Sequence, residues 1–300
     1  MYNKHIKIFE NLSKIYEKLG DDIRATSYHN LSKKLQLYDI KRKKDKSFQL
    51  TGVTQKSQRK IDEISKTGKL KILEDIKKEN KDKLKLTEII GVGPSMADKL
   101  IKKGIKNYKE FRDNYTGKIT QLQKIGLKYH GKIKKPKLEI FYKIVKIFCK
   151  EIKGVNDIAI AGSYRTGNQN PNDIDIIVCS GDGKIKNIIE SLVKMGILVD
   201  FSMSGKEDIF GIIKLNNKFY KIDIKVTVPK YFASYMLYFG SGKYFSKYIR
   251  GVAKGMGYKL NQYGIEIIKT GETKTFRSEK AIFKFLHLKY LTPQERVLYF

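Results

Sequence analysis

Two aspartates one residue apart interrupt an apolar run near the middle of the chain, and they strongly constrain how this region folds. The segment is "AGSYRTGNQNPNDIDIIV", residues 161–178, in which Asp173 and Asp175 stand among isoleucines and a valine. Because side chains alternate along a strand, both carboxylates point to one face, with Cβ atoms about 7 Å apart. Their repulsion is tolerable at a solvent-facing strand end, or where a divalent cation takes oxygen ligands from both. The pair alone leaves both interpretations open.

A second strand supplies a third carboxylate. The segment "FYKIDIKVTV" (219–228) alternates cleanly, with Asp223 between two isoleucines and with Lys221 and Lys225 on its own face. Three carboxylates on adjacent strands can hold two metal ions for in-line phosphoryl transfer. We therefore favour a metal site over a solvated strand end.

The first part of the chain has the periodicity of helices. A first helix is predicted from apolar residues at helical spacing, namely Ile6, Phe9, Leu12, Ile15, Tyr16 and Leu19. Leu31, Leu35 and Leu37 mark the end of a second helix. The run "KRKKDKS" (41–47) then predicts a loop, which is either a solvated turn or a phosphate contact.

Two segments of this part have the helix-hairpin-helix pattern, "LTGVTQKSQRKIDEI" (50–64) and "IIGVGPSMADKL" (89–100). The turn Gly91-Val92-Gly93 allows backbone N–H groups at a helix N-terminus to approach a DNA phosphate without a side chain in the way. Pro94 suits the first helical turn, and Ser95 adds a hydroxyl. Such a turn can also simply begin a helix. The first copy has Thr54 in place of the second glycine.

Charge favours a polyanionic partner. The chain carries 62 Lys and Arg against 31 Asp and Glu, a formal net charge of +31, which suits phosphate contacts with nucleic acid. No stretch reaches the roughly 18 apolar residues of a spanning helix, and "MYNKHIKIFE" lacks the apolar core of a secretory signal. We expect an intracellular protein without a membrane partner. Cys149 and Cys179 have no metal-ligand spacing and are expected to be packed thiols.

An ordered set of motifs resembles the family X DNA polymerases, the DNA polymerase beta-like repair enzymes. From about residue 20 to the C-terminus the set includes "TGKLKILEDIKK", "KIGLKYHGKIKKP", "GSYRTG", "DIDIIV", "IDIKV", "YMLYFGSGKYFSKYIRGVAKGMGYKLNQYGI" and "SEKAIFKFLHLKYLTPQER". The resemblance implies an α+β fold of several subdomains. These are a lyase-like all-α helix-hairpin-helix domain (1–82), a helical DNA-binding subdomain (83–140), a nucleotidyltransferase α/β palm (141–228) and a nucleotide-selecting thumb (229–300).

The resemblance also implies roles for individual positions. Asp173 and Asp175 match carboxylates that bind both metal ions, and Asp223 matches the third, which takes the primer 3′-hydroxyl proton. Implied nucleotide contacts are Lys134, Gly162, Ser163, Arg165, Asn172, Tyr238, Phe239, Gly242, Lys243 and Ser246. Implied DNA contacts are Gly52, Lys56, Gly91, Gly93, Ser95, Lys225, Lys247, Arg250 and Tyr263. Tyr238 and Phe239 would disfavour a ribose 2′-hydroxyl, although buried core aromatics are the competing interpretation.

Several positions depart from the family pattern. Thr166 stands where a second basic residue is common, Pro171-Asn172 replaces Ser-Gly, and Gly240-Ser241-Gly242 replaces Thr-Gly-Ser. Ser246 replaces a base-contacting asparagine.

Lys60 matches the lysine that forms a Schiff base with a 5′-deoxyribose phosphate. Lys56 and Arg59 are nearby cations that favour a neutral amine, while a solvated lysine is the alternative. The tyrosine and histidine that assist in relatives have no match in register, and Tyr28 and His29 lie nearby.

The sequence therefore predicts a DNA-directed DNA polymerase that fills short gaps in base excision repair, with 5′-deoxyribose-phosphate lyase activity. The implied cofactors are two Mg²⁺ ions, with Mn²⁺ as a substitute, and a monovalent cation at the hairpin turns. The implied partners are gapped or nicked DNA, deoxynucleoside triphosphates and a DNA ligase, with the protein acting as a monomer in the nucleus or at a cytoplasmic site of replication or repair. Two alternatives stay open: a template-independent or RNA-related nucleotidyltransferase, and a DNA-end-binding protein with an inactive palm.

Overall fold

The computed structural model describes residues 2–181 and 185–300. The chain forms two compact units. The first comprises the residues up to His130 together with Tyr299, and the second comprises Gly131–Leu298 with Phe300. No helix of the described residues is both long and apolar enough to cross a membrane. The finer division into four subdomains stays a prediction.

The first unit is built of helices. Its elements are α1 (Asn3–Leu19), α2 (Asp22–Lys44), α3 (Gln55–Thr67), α4 (Lys71–Glu79), α5 (Lys81–Leu86), α6 (Pro94–Lys102), α7 (Tyr108–Asn114) and α8 (Gln121–Tyr129). The predicted apolar spacing of α1 is confirmed, since Phe9 and Leu12 are fully buried against Leu35 of α2. A second core under the later helices includes Leu86, Leu100 and Phe111, so α5 to α7 bury their own apolar faces.

The loop predicted at residues 41–47 is partly wrong, because α2 continues to Lys44 and the turn comes only at residues 46–47. Four basic residues, 41–44, fill the last turn of α2. Cations are favourable there because the helix C-terminus carries partial negative charge. The run of charges therefore ends the helix rather than interrupting it.

The second unit contains a five-stranded sheet. Its strands are β1 (Val155–Ile160), β2 (Ile174–Ser180), β3 (Leu198–Ser204), β4 (Asp208–Leu215) and β5 (Lys218–Thr227), in the order β1-β2-β5-β4-β3. β2 and β5 are parallel, whereas the other neighbours are antiparallel. Helices α9 (Leu138–Glu151) and α11 (Ile185–Lys194) share its apolar core. Cys179 is buried in β2 as expected, but Cys149 on α9 is exposed, and both thiols are free.

The C-terminal part has its own small core. It consists of α12 (Phe232–Phe239), α13 (Lys243–Gly255), β6 (Tyr258–Asn261), β7 (Gly264–Ile267), β8 (Thr273–Lys274), α14 (Glu279–Phe285) and α15 (Pro293–Tyr299). Phe245 of α13 stacks on Phe283 of α14, with ring centroids 5.8 Å apart. The guanidinium of Arg296 is fully buried beside both rings, and it bonds to Glu279 and Ser241.

Candidate active site

The parallel pairing of β2 and β5 brings two of the three aspartates together. Asp175 stands directly opposite Asp223 in the register, so their backbones are about 4.8 Å apart. Asp173 precedes the first residue of β2. The isoleucines next to these aspartates, Ile174 and Ile222, are buried on the other face. A slip of one residue would bury the carboxylates and expose the isoleucines, so hydrophobic burial fixes the register of the acidic residues.

Two lysines on the same face pair with the outer carboxylates. Lys221 Nζ lies 3.4 Å from Asp173 Oδ2, and Lys225 Nζ lies 3.1 Å from Asp223 Oδ1. Lys225 also reaches Asp208 Oδ2 on β4, at 3.3 Å. Although burial alone would lower it, the Asp223 and Asp208 carboxylates raise the pKa of Lys225. The Lys225 ammonium therefore stays charged beside the acidic cluster.

The Asp175 carboxyl has a strongly raised pKa. Burial, followed by the negative charges of Asp173 and Asp223, raises the pKa of Asp175 to about 7. This group would gain from a nearby cation, since an opposite charge favours the ionised form. The three aspartates offer only hard oxygen donors, which suit Mg²⁺ or Mn²⁺. The charge and the chemistry of this cluster thus fit divalent metal ions.

As these side chains are oriented, however, the cluster is not a ready metal cage. Within residues 2–181 and 185–300, no group of three or more histidine, cysteine, aspartate or glutamate side chains is arranged to hold a metal ion. In this arrangement Asp173 and Asp223 are each paired with a lysine ammonium. Metal ions at this cluster would compete with those ammonium groups for the carboxylate oxygens.

The Gly-Ser turn after β1 closes against this cluster. The predicted turn is a short helix, α10 (Gly162–Arg165), that begins with Gly162 at φ +56°. A Cβ at Gly162 would collide with the Asp175 carboxylate, so the close approach requires glycine. Ser163 is half-buried in this helix.

The Arg165 guanidinium faces the C-terminal part. It donates to both carboxylate oxygens of Glu279 and to the carbonyls of Met236 and Gly240. Gly240 allows this approach, since a Cβ there would lie 2.7 Å from Arg165 Nη1. The Gly240 departure from the family pattern therefore has a structural role beside Arg165.

The two predicted sugar-contacting aromatics end α12 and are both half-buried. Lys225 Nζ lies 5.1 Å from the centroid of the Phe239 ring, and the Arg250 guanidinium lies 5.5 Å from that of Tyr238. Their intermediate burial fits neither a sealed core nor a free surface. Ser246 donates weakly to the Tyr238 carbonyl, at 3.3 Å.

The remaining predicted contacts of the second unit are mostly exposed. These side chains are Lys134, Asn172, Lys243, Lys247 and Arg250. Lys134 N–H donates to the Phe219 carbonyl near the start of β5, four residues before Asp223. Gly242 precedes α13 at φ +82°, a conformation that favours glycine.

The two hairpin turns of the first unit have the predicted backbone. Gly52 and Gly91 both have positive φ, +66° and +81°. Gly93 precedes α6, and Pro94 is its first residue as predicted. Thr54 caps α3 instead, since its hydroxyl accepts from Ser57 N–H at 3.2 Å. Thr54, which replaces the second glycine of the pattern in the first copy, is thus the N-cap of α3.

Sequence reasoning missed the support of the second turn. Gly126 of α8 packs so closely on the Ile90 carbonyl that a Cβ would collide with it. Gln123 on the same helix donates to the Gly91 carbonyl at 3.2 Å. The segment "KIGLKYHG" contains Gly126, and a glycine inside a helix is a signal for close backbone packing.

Lys60 is close to an upstream tyrosine after all. Lys60 Nζ donates to the Tyr28 hydroxyl at 2.7 Å, and it lies 4.7 Å from the centroid of that ring. The Tyr28 ring in turn stacks on Tyr16, with centroids 5.5 Å apart. A residue out of register in the sequence comparison therefore lies beside the amine in space.

The fold and the paired aspartates define a palm of the nucleotidyltransferase type, and comparison with known proteins agrees. Family models match three consecutive regions: the fingers domain of DNA polymerase lambda over residues 84–134, the DNA polymerase beta palm over residues 132–230 and the DNA polymerase beta thumb over residues 235–297. The chain belongs to the family X DNA polymerases.

Curated relatives give the same result. The chain is 27% identical to DNA polymerase lambda of Arabidopsis thaliana over 99% of its own length, and 25% identical to that of Rattus norvegicus over 98%. It is 24% identical to DNA nucleotidylexotransferase of Xenopus laevis over 79%. The chain spans 62% of the plant protein and 56% of each of the other two.

Proposed function

We propose that this chain is a DNA-directed DNA polymerase that fills short gaps during base excision repair. The observation that carries the proposal is the register of β2 and β5, which sets Asp175 opposite Asp223 beside a Gly-Ser turn. Family membership supports it, since the matched regions include palm, thumb and fingers. The substrates would be a primer 3′-hydroxyl at a gap or nick and a deoxynucleoside triphosphate.

The three aspartates would divide the work of a two-metal site. Asp173 and Asp175 would hold both ions, and Asp223 would hold one and accept the proton of the primer 3′-hydroxyl. When bound, Mg²⁺, or Mn²⁺ in its place, supplies charge that stabilises the phosphates during an in-line displacement. Release of Lys221 and Lys225 from their carboxylates would accompany this binding.

The nucleotide would lie between the Gly-Ser turn and α12. Backbone N–H groups at Gly162 and Ser163, with Lys134, would contact the triphosphate. Tyr238 and Phe239 would contact the sugar. Additional contacts would come from Arg165 at the end of α10, from Asn172 shortly before β2, and from Gly242, Lys243 and Ser246 at the start of α13.

The hairpin turns would hold DNA by its backbone. Their N–H groups, with a monovalent cation at each turn, would contact phosphates independently of sequence. The residues proposed for DNA are Gly52, Lys56, Gly91, Gly93, Ser95, Lys225, Lys247, Arg250 and Tyr263. The high positive charge favours such contacts. We further propose a monomer that works with a DNA ligase inside the cell, in the nucleus or at a cytoplasmic site of replication or repair.

The first unit would act as a 5′-deoxyribose-phosphate lyase. The Lys60 amine would attack C1′ of the ring-opened abasic sugar, and loss of the C1′ oxygen as water would leave an imine. Tyr28 would orient this amine, since its hydroxyl accepts from Lys60 Nζ. The bond supports a role for Lys60 beyond that of a solvated lysine.

The experiment that tests the palm is Asp175→Ala in gap filling. The variant should lose nucleotide addition and keep its affinity for gapped DNA, because the metals act on the transition state while other residues hold the DNA. Glu190→Ala, which removes an exposed carboxylate on α11, is the matched control and should extend normally. Extension by Asp175→Ala at the control's rate would contradict the proposal.

A further inference from the structure

One carboxylate outside the acidic cluster accepts from two tyrosines. Glu207 lies in the turn between β3 and β4, and its Oε2 accepts from the Tyr235 hydroxyl on α12 and from the Tyr263 hydroxyl, the latter at 2.8 Å. Tyr235 is only 1% exposed, so its hydroxyl needs a partner inside the protein. Burial and the Glu207 carboxylate raise the pKa of Tyr235, and the bond to Glu207 raises the pKa of Tyr263. Both hydroxyls remain donors at neutral pH.

Tyr235 packs directly against the proposed sugar-contacting pair. Its ring centroid lies 5.5 Å from that of Phe239, one turn further along α12, and Phe239 lies 4.9 Å from Tyr238. Tyr263 also contacts Tyr235 edge-on, at 6.1 Å. The aromatic cluster is continuous with Ala161, the residue before the Gly-Ser turn. Glu207 is therefore the polar anchor of a row of ring contacts that runs from Tyr235 through Phe239 to Tyr238.

The residue after Glu207 reaches the same ring by a second route. Asp208 pairs with Lys225, whose ammonium lies 5.1 Å from the centroid of Phe239. Both chains of contacts begin at the β3–β4 turn. Nothing in the sequence of this turn, "SGKED", signals such a role, because the partners are 28 to 56 residues away.

We propose that Glu207 is a positioning residue for sugar selection, which holds Phe239 in place through Tyr235. The inference rests on the proposed polymerase function. A hydrogen bond to an ionised carboxylate is about twice as strong as a neutral one, so its loss loosens the Tyr235 ring and then its neighbour. Discrimination against a 2′-hydroxyl would depend on close approach of Tyr238 and Phe239 to the sugar, and a misplacement of about 1 Å in an active site can cost about 10²-fold.

The test compares deoxynucleotides with ribonucleotides on a one-nucleotide gap. We would measure kcat/KM for the complementary dNTP and rNTP with wild type, Glu207→Gln, Tyr235→Phe and the double variant. Each single variant should lower the dNTP:rNTP ratio by about tenfold, equivalent to about 1.4 kcal/mol. The double variant should lower it no further than about either single change, because Glu207→Gln weakens and Tyr235→Phe removes the one bond through which Glu207 acts on Tyr235. Glu190→Gln and Tyr142→Phe, at exposed sites on α11 and α9, should keep the wild-type ratio.

The outcomes separate this inference from the function on which it rests. If both substrates lose kcat/KM equally and the ratio stays constant, Glu207 has only a structural role and the inference is wrong. Additive effects in the double variant would also contradict it. If wild type incorporates no nucleotide at all, the proposed function fails together with the inference. Tyr235→Phe keeps the ring and its packing, so it tests the bond even if Glu207→Gln unfolds.

Discussion

Replacing Asp175 by asparagine should stabilise the metal-free protein while it abolishes nucleotide addition. Burial and two neighbouring carboxylates raise the pKa of Asp175 from 3.8 to about 7. This interval corresponds to about 4 kcal/mol of free energy against the ionised form. Because Asp175 is half-buried and two lysines lie nearby, we expect solvent and counter-charge to reduce the measured effect to about 2 kcal/mol. Asparagine is nearly isosteric and cannot ionise, so it removes this cost.

The sign of the pH dependence follows from proton linkage. Between about pH 4 and pH 7 the folded protein keeps a proton on Asp175 that the unfolded chain has lost, so stability falls as pH rises through this window. The asparagine variant lacks this fall. The gain in stability of Asp175→Asn over wild type should therefore reach its full value near pH 8 and only a small fraction of that value at pH 4.5.

The assay is thermal unfolding in EDTA at both pH values. For a unit of this size, about 2 kcal/mol raises the melting temperature by roughly 4–8 °C at pH 8. Asp157→Asn, which neutralises an exposed carboxylate in β1, is the control and should not change the melting temperature at pH 8. No stabilisation by Asp175→Asn at pH 8, or an equal gain at both pH values, would refute the electrostatic account of the site.

Three further predictions concern the first unit and the DNA. Affinity for gapped DNA should fall steeply with salt, and a flat plot of log K against log salt concentration would argue against phosphate contacts. Lys60→Ala should lose borohydride trapping on an incised abasic site but keep gap filling. Tyr28→Phe should be trapped more slowly than wild type. Undiminished trapping of Lys60→Ala would show that another amine is the nucleophile, with Lys56 the first candidate. Gly126→Ala should cost about 1–3 kcal/mol of stability and weaken DNA binding, and unchanged binding by the folded variant would show that the second turn does not contact DNA.

The acidic cluster was largely predictable because local patterns specify it. Alternating burial in "DIDIIV" and "KIDIKV" assigns the faces of both strands, and the structure confirms that Asp173, Asp175 and Asp223 share one side. The parallel pairing of β2 and β5 has no local signature and was not predicted, because the sequence placed Asp223 only on an adjacent strand. The ion pairs that the lysines make with the outer aspartates were also not foreseen, since they depend on side-chain orientation.

The polar contacts between residues far apart in the chain could not be predicted from the sequence. Arg165 stands in a motif suggestive of triphosphate binding, yet its bonds to Glu279 span 114 residues. Lys60 and Tyr28 meet across 32 residues because α2 and α3 share one apolar core with α1, although no spacing rule connects them. The loop predicted at residues 41–47 was partly wrong because the local pattern is ambiguous. A run of positive charges suits the C-terminal end of a helix as well as a turn. Local pattern specifies the faces of elements, whereas packing decides which side chains meet.

The most direct test of the proposed polymerase function is primer extension on a one-nucleotide gap with each of four dNTPs and four rNTPs. We expect wild type to add only the dNTP complementary to the template base, addition to require Mg²⁺ or Mn²⁺, and Asp223→Asn to add none. Addition irrespective of the template base would instead indicate a template-independent transferase. Equal use of ribonucleotides would contradict the proposed role of Tyr238 and Phe239, and binding of gapped DNA without any addition would leave a DNA-end-binding protein with an inactive palm.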